Sequence, residues 1–156
     1  MFLFLANLFL SNSLAGELYK KYEWEVSPNI AICPDTSITK KDIESAINYW
    51  KVELSKNLDY KTIYYLSSCK TMNRLNTIYI TGDYKQVGSQ LAYTDVLFYY
   101  YLLDEGEDPQ KYLEKAIIYI DEKHADSKIV LYHEFGHAIG LGHSDHEVMK
   151  SYHFHW

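Results

Sequence analysis

The hydrophobic pattern changes period along the chain. Between Leu18 and Ile32, Tyr22, Trp24 and Val26 alternate with charged residues, the period of two expected of a strand with one wet face. Pro28-Asn29 and Pro34-Asp35 punctuate that stretch. After Thr39 the period lengthens: Ile43, Ala46, Ile47, Trp50 and Leu54 recur at helical spacing and predict an amphipathic helix from Lys40 to Lys56. Thr39 and Asp42 supply a cap of the Thr-x-x-Asp type at its start. Lys61 to Leu66 and Asn76 to Thr81 are short, β-branched and aromatic, and Gly82-Asp83 closes the second of these strands.

Leu91, Ala92, Tyr93 and Thr94 predict another strand, and Ala116 to Ile120 a further one. Between them, Val96 to Leu103 is strongly apolar and the acids from Asp104 to Asp108 break the run before Pro109, which predicts a solvated turn between two helical pieces. The last periodic segment, Ser127 to Ile139, predicts a second helix capped by Asp126 or Ser127. The order of strand, helix, several strands and helix predicts an α+β domain, and 156 residues suffice for a single core.

The second helix carries the chemistry. His133 and His137 are four residues apart, so on a helix they stand one turn above each other with both rings aimed at one point. Glu134 sits one residue round, placed to reach a water held by a metal and act as general base. Gly140 can take the left-handed conformation that ends the helix and returns His143 to the same point. Three neutral imidazoles leave a tetrahedral Zn2+ with a fourth position for water, an arrangement poised for hydrolysis.

The run His133-Glu134-x-x-His137-x-x-Gly140-x-x-His143, followed by Ser144, resembles the signature of the metzincin clan of zinc endopeptidases, and is most similar to its matrixin branch. The resemblance implies a metzincin-like fold: a twisted mixed sheet of about five strands, a backing helix and an active-site helix. It implies one catalytic zinc on His133, His137 and His143, Glu134 as general base, and Met149 as the Met-turn residue forming an apolar floor under the rings. It also implies that a peptide or protein substrate binds as an extra strand beside Leu91 to Thr94. Family members have more residues between the third His and the Met-turn, so the C-terminal subdomain is expected to be minimal, with Met149 to Tyr152 walling the pocket beyond the scissile bond. Tyr152 is offset from the position where some metzincins place an oxyanion-binding tyrosine.

Charge narrows the partners. A formal net charge of −6, with no basic cluster carrying interleaved aromatics, argues against nucleic acid. The sixteen tyrosines suit half-buried strands and peptide clefts alike. Met1 to Leu10 is apolar and of signal-peptide length, with small residues Ser13 and Ala15 before Gly16, so residues 1–15 are expected to be a signal peptide and residues 16–156 one domain, secreted or periplasmic and monomeric, with no membrane span after cleavage. The missing basic n-region leaves an uncleaved, membrane-tethering segment as the alternative.

Cys33 and Cys69 are one disulfide or two buried thiols; Cys33-Pro34-Asp35 has only a faint likeness to the inhibitory thiol of matrixin propeptides. The acidic stretch offers oxygen atoms for Ca2+ without the spacing of a known calcium loop. His146 lies close enough in sequence to His143 to compete for the metal but, beside three better-placed ligands, reads as a loop residue, and His124, His153 and His155 are expected to be exposed. Two other functions use the same residues: a catalytically inactive zinc-holding binding protein, and a hydrolase of a non-protein amide.

Overall fold

A computed structural model describes residues 16–85, 90–101 and 109–151; the expected signal peptide, the acidic stretch from Asp104 to Asp108, Tyr152, His153 and His155 lie outside the described residues. The described elements are β1 (Glu23–Trp24), β2 (Asn29–Ile32), α1 (Lys40–Glu53), β3 (Ile63–Tyr65), β4 (Thr77–Thr81), β5 (Ala92–Tyr101), β6 (Gln110–Ile120) and α2 (Lys128–Ala138). Two short 3-10 turns, Glu122–His124 and Glu147–Met149, flank α2. The chain is α+β with a mixed sheet, and none of its described helices is long and apolar enough to cross a membrane.

The sheet runs β3-β2-β4-β6 in parallel, and β5 adds antiparallel to β6 as an edge strand. The two-residue β1 pairs with β6 at Tyr112 and Leu113, past the register at which β4 pairs, and makes the sheet six-stranded rather than five. The single stretch expected from Leu18 to Ile32 is thus two strands. Its break falls at Ser27-Pro28, where proline has no N–H for a ladder.

Alternation along the strands sorts their side chains onto two faces. Ile30, Ile32, Ile78, Ile80, Ala116, Ile118 and Ile120 are buried in one cluster with residues of both helices. The intervening Ala31 and Tyr79 pack with Met72 and the Cys33–Cys69 pair on the other side. The two cysteines form a disulfide across 36 residues, so of the three readings the chain takes the disulfide, and Cys33 is no metal-capping thiol.

The apolar run after Thr94 is strand, not helix. Val96 to Tyr101 continues β5, and the residues from Gln110 form β6, so the described chain on either side of the acidic stretch is a pair of antiparallel strands rather than two helical pieces. Six successive residues from Val96 that are aliphatic or aromatic have no polar face to set a helical period, and β6 offers a partner along their length. The register shifts between Leu97 and Phe98, which leaves Glu114 as an extra residue on β6. Burial along β6 steps by three there, from Leu113 to Ala116, before its alternation resumes.

In α1 the buried residues are Ile43, Ala46, Ile47 and Trp50, the stripe expected from the sequence. The helix stops at Glu53, earlier than the predicted Lys56, because Ser55 adopts φ 50°, its N–H turns back to Val52 O, and the Lys56 N–H to Lys51 O. At its start Thr39 Oγ1 accepts from the Asp42 N–H while Asp42 Oδ2 accepts from the Thr39 N–H at 2.9 Å, a closed capping box. Thr39→Ala is expected to cost about 1 kcal/mol in urea unfolding at pH 7. The Thr39 hydroxyl holds the Asp42 carboxyl below its ordinary value of 3.8, so this stabilisation is present above that value and lost as the pH falls through the lowered folded-state pKa. The gap between wild type and variant should therefore narrow in acid without closing, since the bond from the Asp42 N–H to the Thr39 hydroxyl does not titrate.

Candidate metal centre

The helix α2 is apolar on most of its surface: Val130, Leu131, Phe135 and Ala138 are buried with the sheet and α1, each large side chain worth about 2 kcal/mol of burial. Trp50 Nε1 donates to Tyr132 O at 2.8 Å and Trp24 Nε1 to Ala138 O at 2.9 Å, so the helix is tied to α1 and to β1 as well. Gly136 has no room for a side chain, since a Cβ there would lie 2.6 Å from Met149 Sδ and 2.8 Å from Trp50. Met149, fully buried, thus packs against Gly136, in the turn of the helix between His133 and His137.

Two backbone carbonyls fix the rings. His133 Nδ1 lies 2.6 Å from Val148 O, and His137 Nδ1 lies 2.9 Å from Leu141 O. A carbonyl only accepts, so each Nδ1 carries the proton and each Nε2 presents its lone pair. The Nε2 atoms of His133 and His137 are 3.0 Å apart, and His143 Nε2 is 3.2 Å from that of His137. Lone pairs this close repel unless a cation lies among them. Protonating His137 is opposed by burial, which together with the charges of His143 and Lys21 pushes its pKa down to about 4 against the bond to Leu141. The three histidines therefore form a site that could hold a metal ion, from the buried His133 to the exposed His143.

The third ligand returns through a Schellman turn. Gly140 has φ 104°, its N–H donates to His137 O at 3.0 Å, and the Leu141 N–H donates to Gly136 O at 2.9 Å. Any Cβ at Gly140 would meet Tyr22 O at 2.2 Å. The chain segment 19–22 runs antiparallel to this turn: Lys21 and Tyr22 donate to Gly140 O at 2.8 and 2.9 Å, and Gly142 donates to Tyr19 O at 2.8 Å. This strap was not foreseen from the sequence, where Tyr22 reads only as one position of an alternating strand.

Glu134 is 3% exposed, and burial pushes its pKa up to about 7 against a lowering bond from Thr94. Thr94 Oγ1 lies 2.6 Å from Glu134 Oε2 and 3.0 Å from Glu134 O. The expected substrate strand therefore borders the site, with Ala92, Tyr93 and Thr94 lining a hollow of about 190 Å3 together with the three histidines, Glu134 and Ser151. Gln90 lines it as well, while Leu91 packs against the core instead. Among the described residues β5 has a strand partner, β6, on one side only.

His146 does not compete for the metal. It is buried, with Nε2 2.9 Å from Glu53 Oε2 and its ring 5.6 Å from that of Trp50. His124 is half-buried rather than exposed.

Gly140→Ala is expected to lower metal affinity about tenfold or more, since a left-handed residue with a Cβ is disfavoured by about 1–2 kcal/mol before the clash with Tyr22 is counted. Competition with a zinc-binding dye measures it, His143→Ala being the reference for loss of one ligand. Affinity unchanged in Gly140→Ala would mean that the turn does not place the third ring.

Neither a protein-family model, nor a curated protein, nor a solved structure matches the chain.

Proposed function

We propose that the protein is a zinc-dependent endopeptidase of metzincin type, most like the matrixin branch, acting on peptide segments laid along β5. One observation carries this reading: the carboxyl of Glu134 is buried beside three imidazoles that converge on one point, in a hollow bordered by a strand edge. The donor set suits zinc. Nitrogen ligands at about 2.0–2.1 Å around a tetrahedral ion stand about 3.3 Å apart, close to the 3.0 and 3.2 Å separations of the rings. When bound, zinc supplies Lewis acidity, polarising a carbonyl and acidifying water.

The chain's own residues supply the rest. An extended peptide placed against β5 finds backbone groups to pair with, which fixes its path across the histidines. Glu134 takes a proton from the attacking water and returns it to the departing amine, with no covalent enzyme intermediate. A carboxyl raised towards neutrality by burial is suited to hold and release that proton. Thr94 fixes Oε2, so the other carboxylate oxygen is the one left to face water. Of the wall assigned to Met149 through Tyr152, Ser151 lines the hollow, while Met149 packs against Gly136 of the helix.

Zinc content and cleavage of a quenched peptide library, compared between wild type and Glu134→Ala, test the proposal. Zinc in both proteins with cleavage reduced at least about a hundredfold in the variant is expected. Zinc in both with no cleavage by the wild type would replace this reading with that of a zinc-holding binding protein.

A further inference from the structure

The cleft does not end at the metal centre. Thr94, His137 and His143 line the first hollow and also a second one of about 450 Å3, which continues along β5 to Val96. Thr94 and Val96 are two residues apart and so share a face of the strand. The opposite wall is the strap, which contributes Tyr19, Lys21 and Tyr22.

This wall is built rather than draped. Its backbone is bonded to Gly140 and Gly142 on both sides of Leu141, and the Tyr19 ring lies so close to Gly142 that a Cβ there would come within 2.6 Å of it. Tyr22 is buried, with its ring 4.7 Å from that of Phe98 on β5, which joins the strap to the strand across the hollow. Lys21 is exposed and its ammonium lies over the Tyr22 ring, 5.2 Å from the centroid, a cation–π contact that holds the charge at this wall. In a chain of net charge −6, no Asp or Glu among the described residues lines this hollow. A positive charge thus stands at its wall beside the histidines, with no described carboxylate in the hollow to neutralise it.

We propose that the second hollow is the subsite for a substrate side chain on one side of the scissile bond, and that Lys21 selects a carboxylate there. The proposal rests on the peptidase reading. A peptide following β5 over the histidines passes between Val96 and the strap, and an Asp or Glu side chain directed into the hollow meets the ammonium at its wall. The same charge disfavours a lysine or arginine at that position.

The test uses the zinc-loaded protein and quenched peptides that vary Glu, Gln and Lys at each position flanking the cleaved bond. Wild type, Lys21→Met and Lys21→Glu are compared, with Lys51→Glu on the exposed face of α1 as control, and zinc content verifies that each variant is loaded. At one position the wild type should favour Glu over Gln by about fivefold in kcat/KM at low salt, the size of one exposed charge pair, with the preference shrinking as salt rises. Lys21→Met should abolish the preference, Lys21→Glu should turn it towards Lys, and Lys51→Glu should leave it intact. Cleavage without an acidic preference, or with one that survives both Lys21 substitutions, overturns the subsite alone. Failure of the wild type to cleave any peptide overturns the peptidase reading and the subsite with it.

Discussion

His133 and His137 face one another because two backbone carbonyls hold their far nitrogens, and the rest of the site depends on where those carbonyls come from. Neither belongs to α2. Leu141 O lies in the turn that ends the helix, and Val148 O lies in the short 3-10 turn next to Met149. Both ring orientations are therefore set by chain that arrives after the helix, and that chain must be fixed before the rings can converge. The strap 19–22 fixes the first turn through Gly140 and Gly142; the packing of Met149 under Gly136 fixes the second. An imidazole oriented this way keeps its metal-facing lone pair whether or not an ion is present, which lowers the ordering cost of binding one.

The same economy of parts governs the carboxyl. Glu134 is carried by α2, but its environment is made by β5, whose Thr94 hydroxyl lies within hydrogen-bonding distance of both the backbone oxygen and the carboxyl of that residue. A hydroxyl has one proton and so satisfies only one of those acceptors as donor. When the carboxyl is protonated, it can donate to Thr94 while Thr94 donates to the backbone oxygen; when it is ionised, Thr94 turns to the carboxylate. Either state finds a partner, which suits a group meant to gain and lose a proton while nearly excluded from solvent. On the proposed reading, a substrate pairing with β5 would press on Thr94, the residue that steadies the Glu134 carboxyl.

Much of this was legible because the signals are local. The stripe of Ile43, Ala46, Ile47 and Trp50, the cap at Thr39 and the spacing of His133, Glu134, His137, Gly140 and His143 all follow from backbone periods and a single left-handed residue. What escaped depends on partners far away in sequence. The antiparallel pair of β5 and β6 was misread because six apolar residues in succession carry no period, and only the pairing with β6 makes them a strand. The strap's role rests on bonds to residues more than a hundred positions later, and Trp24, an ordinary alternating aromatic in the sequence, anchors the end of α2. His133 and His137 are the reverse case in placement, since four-residue spacing puts both on one face of the helix, while their final ring orientation waits for the carbonyls of Leu141 and Val148.

The short path from His143 to Met149 bears on whether so little chain can form a stable floor. Within it Ser144 N–H donates to Met149 O at 3.1 Å and Met149 N–H to His146 O at 2.9 Å, so the segment closes on itself as a compact loop. Its anchor is His146, which is buried against Trp50 and bonded to Glu53 at the last turn of α1. Trp50 in turn touches Gly136 and donates to Tyr132 O. The C-terminal turn of α1 thus supplies the support on which this loop rests. A histidine whose position reads only as a loop residue thus ties the loop to the backing helix, and by doing so helps hold Val148 O against His133.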